Sequence, residues 1–295
     1  MHMFRIVRSG LAELAALIAI LFGVSLSFCQ SASVGGPATP ESGASTYHPH
    51  LVFDVASIRE ATDLRKGDMS YYDNMPHNSY FHAEKVGLWG IVLSAYDLRY
   101  VEQLENLPHW AFDTTYTIDA KSDPATDETL EKLSDSDALA EKRHMVQALL
   151  AERFHLQIHS ETRTSNTYEL ITTDRTAKLM TPVQGDMGKT INTCVPHFSK
   201  LKGAEVDSKG CPFHIFFDTL MQNLGTDVLD RTGMTGMYAF HLMWWPSQLP
   251  EGGPSEDRYP PLRNAVRDQL GLELKATKGP VTFWVVDHIE RPTPN

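Results

Sequence analysis

Two short stretches carry the residue types best suited to chemistry: "CVPH" at 194–197 and "CPFH" at 211–214. They set Cys194, His197, Cys211 and His214 in two C-x2-H pairs with thirteen residues between them. Two thiolates and two imidazoles can close a tetrahedral shell around zinc, which would make the chain a metal-binding protein or an enzyme organised around that cluster. Four protein ligands would leave no open position, so such a site would be structural rather than catalytic. The rival reading is a Cys194–Cys211 disulfide, because an even pair of cysteines in an exported chain is normally oxidised, and oxidised sulfur supplies no thiolate. Pro196 and Pro212 also restrict the two turns that a metal shell would need. The disulfide is therefore the expectation, with no metal and no cofactor.

Other reactive patterns are sparse. Ser199 and Lys202 form an S-x-x-K fragment, but no K-T-G follows and Gly203 interrupts the helix on which the lysine would have to lie. The chain holds no H-E-x-x-H, G-x-S-x-G, phosphate-loop or G-x-G-x-x-G motif, so no catalytic residue is expected and the reading leans away from an enzyme. His155 and His159 would share a strand face, yet four residues at about 3.3 Å each place them roughly 13 Å apart, too far to share a metal. His48 and His50 flank Pro49 in a linker, and Asp287 with His288 reads as a surface pair. The carboxylates of "SDPATDETLEKLSDSDALAEK" read as a solvated loop and helix face. Trp244 and Trp245 are neighbours, so in a strand they point to opposite faces; one of them, if exposed, could anchor a partner protein or a glycan.

The elements that must position these residues follow from the rest of the chain. Its 295 residues with 42% apolar content suffice for one large or two modest domains. A net charge of -11 without a basic run excludes phosphate neutralisation, and with it nucleic acid as an expected partner. Arg5 and Arg8, then an apolar stretch from Leu11 to Phe28, then small polar residues make the pattern of a secretory signal peptide over 1–29. Cleavage would remove Arg5, Arg8 and Glu13, leaving a charge of -12 on a periplasmic or extracellular product with no membrane span. Residues 30–48 are rich in Ser, Gly, Ala and Pro, as a flexible linker is.

Beyond the linker the chain repeats itself. An offset of 116 aligns Val146 with Leu262, Phe154 with Leu270, Leu156 with Leu272, Ile158 with Leu274, Tyr168 with Trp284 and Leu170 with Val286, without a gap. Each copy reads as an amphipathic helix followed by two short strands in a hairpin, preceded by a further helix and strand. Ser136 or Asp137 can cap the first of these helices, and Gly271 suits the end of the second. The expected fold class is α+β: a first module at 49–180, a disulfide-bearing connecting loop at 181–212 and a second module at 213–295.

"FDVASIR", "YTIDAK", "MVQALLAERFHLQIHSET", "DRTGMTGMYAFHLMW" and "QLGLELKATKGPVTFWVVDHIERPTPN" together resemble a large family of secreted proteins expanded in soil Acidobacteria. The resemblance covers most of residues 51–295. It implies secretion and supports the disulfide, since two cysteines flank the central loop in that family. Some members form the C-terminal part of membrane metallopeptidases similar to the antibiotic-sensing bla-type regulators. The family carries no established activity, so it implies no catalytic residue. The helix and strand order is also similar to the short N-terminal modules of secretins and TonB-dependent receptors, which bind partner proteins. The combined expectation is a non-enzymatic envelope module that binds or senses a protein or cell-wall ligand.

Overall fold

The computed structural model describes residues 47–61, 71–73, 75–184, 194–199, 202–246 and 259–292. The signal peptide and nearly all of the linker expected from the sequence lie outside them. Among the described residues the chain is α+β, with seven α-helices and three four-stranded sheets. In chain order it begins with β1 (Val55–Glu60), β2 (Tyr71–Asp73), β3 (Phe81–Gly87), α1 (Leu88–Ala95), β4 (Leu104–Glu105) and α2 (His109–Asp113). It continues with β5 (Thr115–Lys121), α3 (Pro124–Glu131), α4 (Asp135–Phe154), β6 (Gln157–Thr172), α5 (Thr176–Leu179) and β7 (Thr181–Val183). Then come β8 (His197–Ser199), β9 (Gly203–Pro212), α6 (Phe213–Leu224), β10 (Val228–Asp230), β11 (Met237–Trp244), α7 (Leu262–Ala265) and β12 (Leu272–His288).

These elements fall into two compact units that interleave along the sequence. Among the described residues one, the α4 unit, takes those within 47–97, Thr114–Gln157 and 288–292; the other, the disulfide unit, takes Leu98–Asp113 and those within 158–287.

The α4 unit is an antiparallel sheet in the order β1-β5-β3-β2, with helices on one face. β5 shows why one face is dry. Tyr116, Ile118 and Ala120 alternate inward, while Thr115, Thr117 and Asp119 stay partly in water. Against the dry face α4 buries Met145, Val146, Leu149, Leu150 and Phe154, and the Phe154 ring meets Tyr116 edge-on at 5.2 Å. α4 starts at Ser134, earlier than Ser136 or Asp137, because the Ser134 hydroxyl accepts the Asp137 N–H at 3.2 Å and leaves Asp135 and Asp137 in the favourable first turn.

The disulfide unit holds the other two sheets, ordered β10-β6-β12-β4 and β7-β11-β9-β8. Its core joins Val206, Phe240, Leu242 and Trp244 of the second sheet to Phe213, Phe216, Leu220 and Met221 of α6. Residues Gly203–Pro212, expected inside a connecting loop, form a ten-residue strand paired along most of β11. β6 and β12 also depart from expectation. Each runs on as one strand, of 16 and 17 residues, where two short strands and a hairpin turn were expected. "SETRTSNT" offers no residue pair preferring positive φ, so nothing forces the chain back. The two strands are sheet neighbours, and since His159 meets Asp287 while Thr162 meets Thr282, they run antiparallel. At the aligned positions before them, His155 and Gly271 both adopt left-handed backbone, with φ of 51° and 68°.

Candidate functional site

The strongest arrangement of side chains sits at the turn entering β3, and α4 builds it. Lys142 is fully buried; its Nζ donates to the Asn78 carbonyl at 2.8 Å and to the Tyr80 carbonyl at 2.7 Å, with the Phe53 ring 5.5 Å away. A buried ammonium is tolerable only with such partners. From α3, Asp127 accepts the Ser79 N–H at 2.5 Å, and the Asn78 side-chain oxygen accepts the Tyr80 N–H at 3.0 Å. His77 completes the clamp, its two ring nitrogens lying 3.0 Å from the Leu130 carbonyl and 2.7 Å from an Asp135 carboxylate oxygen. Both neighbours only accept, so the doubly protonated ring fits best, and the hydrogen bond to Asp135, then that to Leu130, raises the His77 pKa.

This clamp holds Tyr80, 42% exposed, at the outer face of the sheet. Its ring lies parallel to that of His82, within 6° and at 6.0 Å between centroids. Asp119 of β5 stands directly opposite His82 in the register. Its carboxylate lies 2.7 Å from His82 Nδ1, accepts the Tyr80 hydroxyl at 3.3 Å, and on its other oxygen accepts Arg59 of β1 at 3.2 Å. Three strands and one turn thus deliver two rings, a carboxylate and a guanidinium to one patch of surface.

One residue earlier on the same helix, Glu141 is equally buried. Its carboxylate accepts the His50 N–H at 2.8 Å, the Leu51 N–H at 2.5 Å and the Tyr47 hydroxyl. Burial, reinforced by the hydrogen bond to Glu141, pushes the Tyr47 phenol up to about 12. Here the chain is fixed to the fold from Tyr47 on, inside the last residues of the expected flexible linker, and His50 enters through its backbone.

The residues singled out by sequence disperse. Cys194 and Cys211 are bonded to each other with Cα atoms 5.2 Å apart, which removes both thiolates from the four-residue zinc reading. His197 lies on β8 opposite Glu205, and His214 is exposed on α6. Among the described residues no group of three or more His, Cys, Asp or Glu side chains is placed to hold a metal ion. Trp244 is 1% exposed and belongs to the core, so it offers a partner no surface; Trp245 is half-buried, as alternation requires. His155 caps α4 instead of sharing a strand with His159, whose ring bridges Asp287 at 2.8 Å and Glu161 at 3.2 Å. His288 turns away to Glu290. Of the S-x-x-K pair, Ser199 ends β8 and Lys202 lies outside any helix.

The sequence of residues 90–289 matches the family described as "protein of unknown function (DUF3738)". The chain belongs to this family. The family match covers Asp119, Lys142 and both cysteines but begins after Tyr80 and His82, so the two rings stand on the stretch before it. Neither the curated proteins nor the solved structures contain a match.

Sequence reasoning missed this patch because Arg59, His82 and Asp119 come from three separate strands and Tyr80 from the turn before one of them. It also missed a second cross-strand group, in which the Glu205 carboxylate lies 2.7 Å from His241 Nε2 and accepts the Tyr259 hydroxyl at 3.3 Å. The hydrogen bond to His241 holds the Glu205 carboxyl below its ordinary range. Alternation along β3 and β5 was the available signal, since it puts His82 and Asp119 on the outer face.

Proposed function

We propose that the protein is an exported, non-enzymatic binding module of the cell envelope, and that it takes a cell-wall glycan on the Tyr80–His82 face. The observation that carries this reading is the exposed Tyr80 ring, stacked parallel on the half-buried His82 ring and held by a buried lysine clamp beside the Asp119–Arg59 ion pair. Ring faces accept the apolar C–H face of a sugar, while a carboxylate and a guanidinium exchange hydrogen bonds with its hydroxyls. Rotamers fixed beforehand by packing and hydrogen bonds lose little entropy on binding.

Export is supported by the basic, apolar and small-polar order of residues 1–29. The resemblance to secreted proteins that also occur fused to membrane metallopeptidases supports a sensing role. Descent from a duplicated helix–strand unit is supported by the 116-residue offset and by the matching left-handed residues His155 and Gly271.

The test is cosedimentation of the mature chain with isolated cell-wall sacculi. The chain should pellet with them, and Tyr80→Ala should lose the association while keeping its unfolding midpoint. Equal pelleting of Tyr80→Ala and the unchanged chain would overturn the assignment of the site. Hydrolytic turnover by the purified chain, abolished by a point substitution, would overturn the non-enzymatic reading.

A further inference from the structure

Strand register lays out the outer face of the α4 unit sheet as a grid. Between β1 and β5, Val55 stands opposite Lys121, Ser57 opposite Asp119 and Arg59 opposite Thr117. Between β5 and β3, Asp119 stands opposite His82 and Ala120 opposite Phe81, so Tyr80, one residue before β3, comes level with Lys121. One row therefore runs Tyr80, Lys121, Val55, spanning about 10 Å at about 4.8 Å per strand. All three side chains are exposed, and Val55, at 55%, is the most exposed large apolar residue among those described. Lys121 differs from Arg59. The Arg59 guanidinium already meets the Asp119 carboxylate at 3.2 Å, whereas among the described residues the Lys121 ammonium has no carboxylate partner. An unpaired cation thus stands between an aromatic ring and an aliphatic side chain.

We infer that the glycan taken by this face carries a free carboxylate on a short apolar substituent, and that Lys121 is the residue that selects it. The inference rests on the glycan reading above and adds the charge of the ligand to it. With the sugar ring on Tyr80, a substituent directed along the row meets the ammonium first and the Val55 methyl groups next. An ether-linked lactyl group has both parts, a carboxylate for Lys121 and a methyl for Val55, whereas a sugar hydroxyl has neither. Ammonium and carboxylate form a charge-assisted bond, about twice as strong as one between neutral groups. Asp119 does not oppose the ligand's charge, because Arg59 offsets its own. In a cell-wall strand that carboxylate is free wherever the lactyl group bears no peptide, so the occupant is a peptide-free muramyl strand.

Two disaccharides that differ only in the lactyl ether test this: chitobiose, and N-acetylglucosaminyl-N-acetylmuramic acid. Each is titrated into the isotope-labelled mature chain while the backbone signals of Tyr80, His82 and Lys121 are followed by NMR. The muramyl disaccharide should bind about tenfold more tightly than chitobiose, the effect of one hydrogen bond between charged groups. Lys121→Gln should erase that preference while leaving chitobiose binding and the unfolding midpoint unchanged, and added salt should shrink it. Equal binding of the two disaccharides, or a preference that survives Lys121→Gln, would overturn the inference and leave the glycan reading standing. Glucuronic acid binding as tightly as N-acetylmuramic acid would overturn the lactyl assignment, since it offers the carboxylate without the methyl. Signals that respond to none of these sugars would overturn the glycan reading and this inference together.

Discussion

Replacing Glu141 by Ala should be among the most damaging single changes in the α4 unit. The carboxylate is fully buried and receives the His50 and Leu51 N–H groups and the Tyr47 hydroxyl. Hydrogen bonds to a charged group are worth about 1.5–3 kcal/mol each, and a buried donor left without a partner costs about 1–3 kcal/mol. Summing three such bonds overstates the loss, because the Tyr47–Leu51 segment can peel away and rehydrate its donors. A loss of about 3–5 kcal/mol, as for breaking a buried charged contact, is the working figure. In urea, with a slope of about 2 kcal/mol per M, the midpoint should fall by about 2 M. Glu141→Gln keeps an acceptor oxygen without the charge and should lose about half as much. Tyr47→Phe should lose about 1 kcal/mol. A loss below about 1 kcal/mol for Glu141→Ala would refute the argument, since it would mean that the segment is not held there. The phenol adds an independent check. Its pKa of about 12 lies above the ordinary 10.0, so the stability it contributes is complete below pH 10 and fades as the pH rises toward 12. Titration followed by tyrosinate absorbance should show several late tyrosines, because burial also raises Tyr96, Tyr100 and Tyr116, and Glu141→Ala should bring only the Tyr47 component down.

Removing the disulfide by Cys194→Ser with Cys211→Ser opens a loop of separation 17 and should cost about 3 kcal/mol in thermal or urea unfolding; an unchanged midpoint would refute the bridge as a stabiliser. Gly271→Ala forces a side chain into left-handed backbone, at about 1–2 kcal/mol. It also brings Cβ within 2.7 Å of the Thr176 nitrogen, so Gly271→Ala should destabilise more than that backbone term alone. At the aligned position, His155→Gly should lower the melting temperature little. The raised His77 pKa means that its contribution is present below pH 6.5 and disappears as pH climbs through the raised value; Asp135→Asn should lower that pKa in an NMR titration. For Glu205 the sign is opposite: its contribution is present above pH 4.5 and lost as pH falls through the lowered value, and His241→Ala should shift the carboxyl titration upward.

Local chemistry by itself determined a good part of this protein. The inward alternation of Tyr116, Ile118 and Ala120, the helical spacing of Met145, Val146, Leu149 and Leu150, and the residue pairs that align at an offset of 116 are properties of short segments. They are legible because burial on one face imposes a period of two or of 3.6 on any chain. The disulfide was legible from two cysteines and the expected compartment. Tertiary structure alone decided the rest. Whether β6 and β12 turn back or run on depends on whether each finds a partner strand, and that partner lies more than a hundred residues away. β9 looked like loop because its buried residues include the small Gly203, Ala204, Ser208 and Gly210, whose burial depends on pairing with β11. The same holds for the candidate site. Tyr80 and His82 share a two-residue spacing, but Arg59 and Asp119 lie far from them in sequence, and only strand register brings the four together. Register is settled by pairing across the sheet, which no local pattern contains.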